Sequence, residues 1–407
     1  MPWVAPSRKA RSSRTHSRPK QQSNKKPAAP SQAAETSTPS PAAPSEAEIE
    51  LQREQQRLLN LFANSFDSVI SSDNFSTILQ EVKQALFNRD FAAAFGREDY
   101  LEAYAARWSP TRALCYAAIF SGIKEHLDEI LVLEEGDPGT DILDSTSSTQ
   151  VGLTQEAPTE SDKDKPPEDS AAEKESNEAV RPSTRSTLKM LSVGGCAAEH
   201  VAFASYLRET SGSGHLSLLD SAPWATSTSL LQSNITQPPP ISKYSSAAVR
   251  AANHALLEPG QLEIAVAEQD VLALDEASLS AWCANGKNPV VLTLLFTLNE
   301  LYTGGGISKT TKFLKNLGRA LAPGSLVLVV DSPGSYSEAA LGKEKKRYPM
   351  QWLLDHTLIE TETPDYSWEK LESDESIWFR LPEALSYPIP LENMRYQMHL
   401  YRLEKST

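Results

Sequence analysis

The stretch Leu191–Phe203, LSVGGCAAEHVAF, ends a short apolar run in two glycines, Gly194 and Gly195, and places Glu199 four residues later. Glycine lets a backbone turn tightly and approach a ligand closely. A dinucleotide fingerprint would read GxGxxG and seat a pyrophosphate on the following helix. This turn has a different spacing, and Glu199 would repel a phosphate. A phosphate-free ligand with a positive centre and an ammonium group suits the acid better, and S-adenosylmethionine is such a ligand.

The next candidates also stand just past apolar runs. Asp220 ends HLSLLD, 25 residues after Gly195. A carboxylate there either accepts from ribose hydroxyls or caps a turn. In AEQDVLAL, Asp270 can accept from an adenine amino group while Val271 offers its backbone N–H; the other reading is a solvated loop acid. In LLFTLNELYTGGG, polar groups close an apolar run and need a reason to be there. Thr297, Asn299 and Glu300 would meet a substrate: Asn299 on a base edge, Glu300 as a proton acceptor. Helix capping is their alternative role.

Other chemistries fit poorly. TGGGISKTT lacks the glycine that a P-loop needs before its lysine, because Ser308 precedes Lys309. No GxSxG nucleophile elbow occurs. Cys115, Cys196 and Cys283 are far apart and form no CxxC pair, which argues against a disulfide framework or thiolate zinc site. No metal is expected. No apolar run approaches the ~20 residues that span a bilayer, and no membrane partner is expected.

These positions need a scaffold. From Leu188 the chain alternates strand-like runs (LKMLSV, HLSLLD, QLEIAVAEQD, PVVLTLLF, SLVLVVD) with helix-like stretches such as AAEHVAFASYLRE and TTKFLKNLGRAL. Continuous apolar strands alternating with helices predict an α/β fold with a mostly parallel sheet covered on both faces. MRYQMHLYRLE alternates and predicts an antiparallel closing strand. Upstream, Leu58, Phe62, Phe66 and Val69 share a helical face, as do Phe75, Leu79, Val82 and Leu86. Two further helices hinge at Ser109-Pro110.

The expected organisation is a disordered basic tail (1–46), a helical region (47–135), a disordered acidic linker (136–186) and an α/β domain (187–407). The net charge is −14, yet residues 1–34 hold eight basic residues and no acid. A basic tail on an acidic protein reads as a nuclear address or a nucleic-acid arm.

Together, LSVGGCAAEHVAF, LLDSAPW, EQDVLAL, FTLNELY and VVDSPGSYSE resemble a Rossmann-like class I methyltransferase. More narrowly, they resemble the fungal 25S rRNA uridine-N3 methyltransferase family, as do EVKQALFNRDFAAAFGREDYLEAYAARWSPTRAL and WFRLPEALSYPIPLENMRYQMHLYRLEK. The resemblance covers roughly residues 50–135 and 186–405. It implies a mostly parallel seven-stranded sheet with an antiparallel C-terminal strand, preceded by a small helical region. It implies S-adenosyl-L-methionine as cofactor and a uridine of large-subunit rRNA, or of a pre-ribosomal particle, as substrate, in the nucleus or nucleolus, with the cytoplasm as a further location.

By motif position, Gly194, Gly195, Cys196 and Glu199 then lie by the methionine moiety and Asp220 by the ribose. Asp270 and Val271 meet the adenine edge; Thr297 and Asn299 meet the methyl-transfer edge. Glu300 or Asp331 would accept the N3 proton. The family's turn is expected to be richer in glycine than Gly-Gly-Cys-Ala-Ala-Glu, and an inactive methyltransferase-like scaffold in ribosome assembly is the alternative. Candidates for RNA contact are the basic tail, Arg107, Trp108 and Arg112, and the cluster Lys343, Lys345, Lys346 and Arg347; core packing between helices is the favoured reading of Trp108, and a solvated loop the alternative for the lysine cluster.

Overall fold

The computed structural model describes residues 45–134, 185–341 and 344–405. The basic tail and the acidic linker, expected at 1–46 and 136–186, lie almost wholly outside these residues. The described residues from Glu46 onward form one compact unit.

The strands are β1 (Val132–Glu134), β2 (Arg185–Val193), β3 (Ser213–Asp220), β4 (Leu262–Glu268), β5 (Val291–Leu295), β6 (Leu326–Asp331), β7 (Tyr336–Leu341), β8 (Glu344–Pro349), β9 (Tyr366–Phe379) and β10 (Met394–Lys405). The main sheet runs β4-β3-β2-β5-β6-β10-β9. Strands β2 to β6 are mutually parallel. β10 enters antiparallel between β6 and β9. The five apolar runs and the closing strand expected from the sequence are all present. β1 adds an eighth strand, antiparallel to the start of β2. A two-stranded hairpin, β7–β8, was not foreseen, because EKKRYP carries charges where a strand normally alternates.

Every residue of β5 and β6 is buried, as expected for strands covered on both faces. Side chains alternate between two cores at the strand period of two. Leu326, Leu328 and Val330 join one core; Val327 and Val329 join the other. The second core is closed by helices Gly306–Ala320 and Met350–Leu358.

The first core also contains the helical region. Leu58, Phe62 and Phe66 come from helix Glu46–Ser65 and its end, and Phe75 and Val82 from helix Phe75–Phe87. The hinge falls at Trp108: helix Glu98–Arg107 ends there, and Pro110 opens helix Ser109–Gly122. Proline is tolerated in a first turn, where its missing N–H has no intrahelical partner to lose. Tyr116 and Phe120 of this helix are fully buried, and Phe120 meets Tyr206 edge-on at 6.3 Å.

The order of the parallel strands reverses between β2 and β5. From β2 the chain steps outward to β3 and β4, then returns to β5 on the other side of β2. A crevice opens at the carboxyl ends of the strands at such a reversal.

Candidate functional site

Two turns face each other across that crevice. Gly194 and Gly195 leave β2 with φ of +77° and +85°, which side chains rarely adopt. Gly194 N–H donates to the Leu219 carbonyl at 2.9 Å. A Cβ on Gly194 would lie 2.4 Å from the Thr297 side chain, and one on Gly195 2.8 Å from Glu199 Oε1. Both glycines are therefore required by conformation and by space. Cys196, Ala197 and Ala198 are small and buried, so helix Ala198–Thr210 starts flush against the sheet. Burial pushes the Cys196 thiol pKa well up and keeps it neutral. Where more glycine was expected, the chain has small residues that pack into the core.

The facing turn follows β5. Phe296 has φ of +62°, a strained value for an aromatic residue. Its N–H donates to the Val330 carbonyl at 2.6 Å, which helps fix the strained position. Thr297 comes next, and its Oγ1 donates to the Gly194 carbonyl at 3.2 Å, tying the two turns together.

Asp220 ends β3 and reaches back to the glycine turn. Its carboxylate accepts from Gly195 N–H and, at 2.8 Å, from Ala222 N–H. Burial raises its pKa and these hydrogen bonds oppose the rise. Asp270 is exposed and accepts from Leu272 N–H at 2.9 Å, while Val271 beside it is buried. Each of these acids caps a turn, and each lines the crevice.

Three more carboxyls gather around one cation. Burial raises Glu300 to about 8, Glu199 to about 7 and Asp331 to about 6, and in each the Arg112 guanidinium opposes the rise. Arg112 itself lies 4.9 Å from the Phe296 ring centroid and 5.2 Å from that of Tyr104, whose hydroxyl it also meets. Asp331 is committed to structure. Its carboxylate accepts from Asn299 N–H at 3.0 Å, Ser332 N–H at 2.7 Å and the Ser335 hydroxyl at 3.3 Å. The half-buried Glu300 has no such set of donors among the described residues.

The result is a cavity of about 550 Å³ lined by Gly194, Gly195, Glu199, Asp220, Asp270, Val271, Thr297 and Glu300, which the sequence singles out. Its volume is in the usual range for a cofactor site. The other wall comes from the helical region: Phe91, Phe95, Tyr104 and Arg112. Sequence reasoning missed the first three and read Arg112 as an RNA contact. The only hint was a run of aromatic residues at helical spacing, which also fits a core.

The remaining RNA candidates divide. The Arg107 side chain is only 10% exposed and pairs with Glu392 at 2.6 Å, so packing holds it rather than solvent. Trp108 leans on Tyr104 with ring centroids 5.2 Å apart. Lys345, Lys346 and Arg347 lie on β8, with side chains outside the described set, as Lys343 is altogether. Among the described residues no His/Cys/Asp/Glu group could hold a metal, and no helix is long and apolar enough to cross a membrane.

A parallel sheet reversed between β2 and β5, closed by an antiparallel strand, with paired glycines and successive strand-end acids around one cavity, defines a Rossmann-like methyltransferase. The double-glycine cradle, which any Cβ would fill, and the acids around it suit S-adenosylmethionine. The chain belongs to the family described as "Putative SAM-dependent methyltransferase", whose family model matches residues 62–402. It is 29% identical over 328 residues to the 25S rRNA (uridine(2843)-N(3))-methyltransferase of Saccharomyces cerevisiae, covering 79% of this chain and 76% of the relative. Solved structures with local likeness include the N-methyltransferase NodS of Bradyrhizobium japonicum with S-adenosyl-L-homocysteine, at 12% identity over 53% of this chain and 77% of that one (TM-score 0.26). Another is a SAM-dependent methyltransferase of Methanosarcina mazei, at 11% identity over 53% and 91% (TM-score 0.28).

Proposed function

We propose that this methyltransferase methylates N3 of a uridine in large-subunit rRNA. The observation that carries the reading is the junction of the glycine turn with the Phe296–Glu300 turn under an aromatic wall. The extended sequence likeness to the yeast uridine-N3 enzyme supports the choice of base. The Gly194–Gly195 turn and Glu199 would hold the methionine end of S-adenosylmethionine, Asp220 the ribose, and Asp270 with Val271 the adenine edge. Thr297 would border the transferred group. The bound cofactor supplies an activated methyl group on a sulfonium.

Uracil N3 carries an imide proton and is buried in pairing within a duplex, so the base must enter single-stranded or flipped out. Phe91, Phe95 and Tyr104 offer the flat apolar surfaces that a flipped base needs. Asn299 stands outside the cavity lining and reaches the site only through its backbone N–H, which donates to Asp331, so Thr297 and Glu300 are the nearer groups to the base edge. Glu300 is the better proton acceptor of the two acids considered, since Asp331 already accepts three hydrogen bonds. Raised to about 8, Glu300 is also a stronger base than an ordinary carboxylate and better matched to a weakly acidic imide. Positioning contributes the rest.

The reading puts the protein in the nucleus or nucleolus, on large-subunit rRNA or its precursor particle. The test is to map N3-methyluridine on that rRNA by mass spectrometry in a deletion strain, and again with the wild-type or Asp220→Ala gene restored. Loss of one mark, recovered by the wild type and not by Asp220→Ala, is the expected outcome. Persistence of every such mark in the deletion strain would refute it.

A further inference from the structure

We propose that Trp378, Arg380 and Arg395 form a docking platform for a single-stranded RNA segment beside the target nucleotide. The inference rests on the RNA-methylating reading and names a surface outside the cavity. Trp378 is 53% exposed, on the outer strand of the sheet. The Arg380 and Arg395 guanidinium carbons lie 5.3 and 5.8 Å from its ring centroid. Both arginines are exposed, and neither pairs with an acid among the described residues. Arg395 is braced by its Nε, which donates to Ser376 Oγ at 2.7 Å.

The sheet register connects this cluster to the site. Trp378 pairs with Arg395 across β9 and β10, and Gln397 of β10 pairs with Asp331 of β6. Gln397 Nε2 also donates to the Ser332 carbonyl at 2.7 Å. Arg395 and Gln397 are two residues apart on one strand, so they share a face and lie about 7 Å apart along it. Trp378 is thus two strands out from β6 and two residues beyond its carboxyl end. From the cavity turn after β5 this edge is three strand spacings away, roughly 14 Å, a span that a few nucleotides of single strand can bridge.

The chemistry favours nucleic acid. An exposed indole stacks on any base, and flanking guanidinium groups pair with the adjoining phosphates. The chain is acidic overall, so a basic aromatic cluster without acid partners stands out against its surroundings. Across the irregularity in β9, exposed Glu372, Asp374 and Glu375 repel phosphate and bound the platform on its far side.

The experiment uses the full chain and a short single-stranded oligouridylate, with binding read by fluorescence anisotropy over a range of salt concentrations. Trp378→Ala is expected to weaken binding roughly 5- to 150-fold, the range for removing one base stack. Trp378→Phe keeps a stacking face and should recover most of the affinity. Arg380→Ala combined with Arg395→Ala should flatten the salt dependence, by about 0.7 in log–log slope for each phosphate no longer neutralised. Calorimetry with S-adenosylmethionine should give wild-type affinity for all three variants. If Trp378→Ala binds the oligonucleotide as tightly as the wild type, the platform is a surface cation–π cluster only, and the methylation reading stands. If the deletion strain keeps all its N3-methyluridine, that reading falls and the platform falls with it.

Discussion

Arg112 shows how one side chain decides the chemistry of several others. Its sequence neighbours make it one more basic residue, whereas the fold sets it among Glu199, Glu300 and Asp331. The acids were legible because they stand just past apolar strands; their shared cation was not, because it comes from a helix far upstream. A carboxyl raised by folding binds more protons in the folded than in the unfolded state. Stability attributable to Glu300 is therefore full below its ordinary 4.5 and is lost as pH rises through about 8. Glu300→Gln should remove this contribution, so that the melting temperature falls less between pH 5 and 9, as checked by calorimetry of the cofactor-free protein. If Glu300 takes the proton, methyl transfer rises with pH through the same region, and Glu300→Gln should lower kcat about 10²- to 10⁴-fold. Arg112→Ala removes the charge that restrains Glu300 and should move the rising limb to higher pH. An unshifted limb would place the titrating group elsewhere.

At the scale of elements, the five parallel strands were readable because each is a short apolar run with a turn after it. The closing strand betrayed itself by alternation. β1 was not legible, since three residues carry no period, and neither was the charged hairpin β7–β8. The helices were found, but not their part in the cavity wall, because a buried aromatic and a ligand-facing one look alike in a sequence. Phe62, Tyr116 and Phe120 belong to the same core as Phe203 and Leu216. Removing residues 46–128 would bare that apolar face of helix Ala198–Thr210, and large exposed apolar patches drive association. The shortened chain should aggregate on expression, as judged by size-exclusion chromatography. A soluble monomer that binds S-adenosylmethionine normally would show that the helices are an accessory rather than part of the fold.

For the whole molecule, charge is the main theme. A net charge of −14 disfavours RNA, so the RNA binding proposed above would rest on local basic features. Deleting residues 1–34, with their eight basic residues, should weaken RNA binding and flatten its dependence on salt. An unchanged slope would leave the tail as a targeting signal. The sheet order has a consequence for how the molecule is made. β10 lies between β6 and β9 in the sheet, yet both of those strands precede it in the chain. Until residues 394–405 dock, the folding chain presents two strand edges awaiting one partner, and a direct pairing of β6 with β9 competes with the native order. Folding is thus most exposed to misassembly in the interval before β10 docks between its two neighbours.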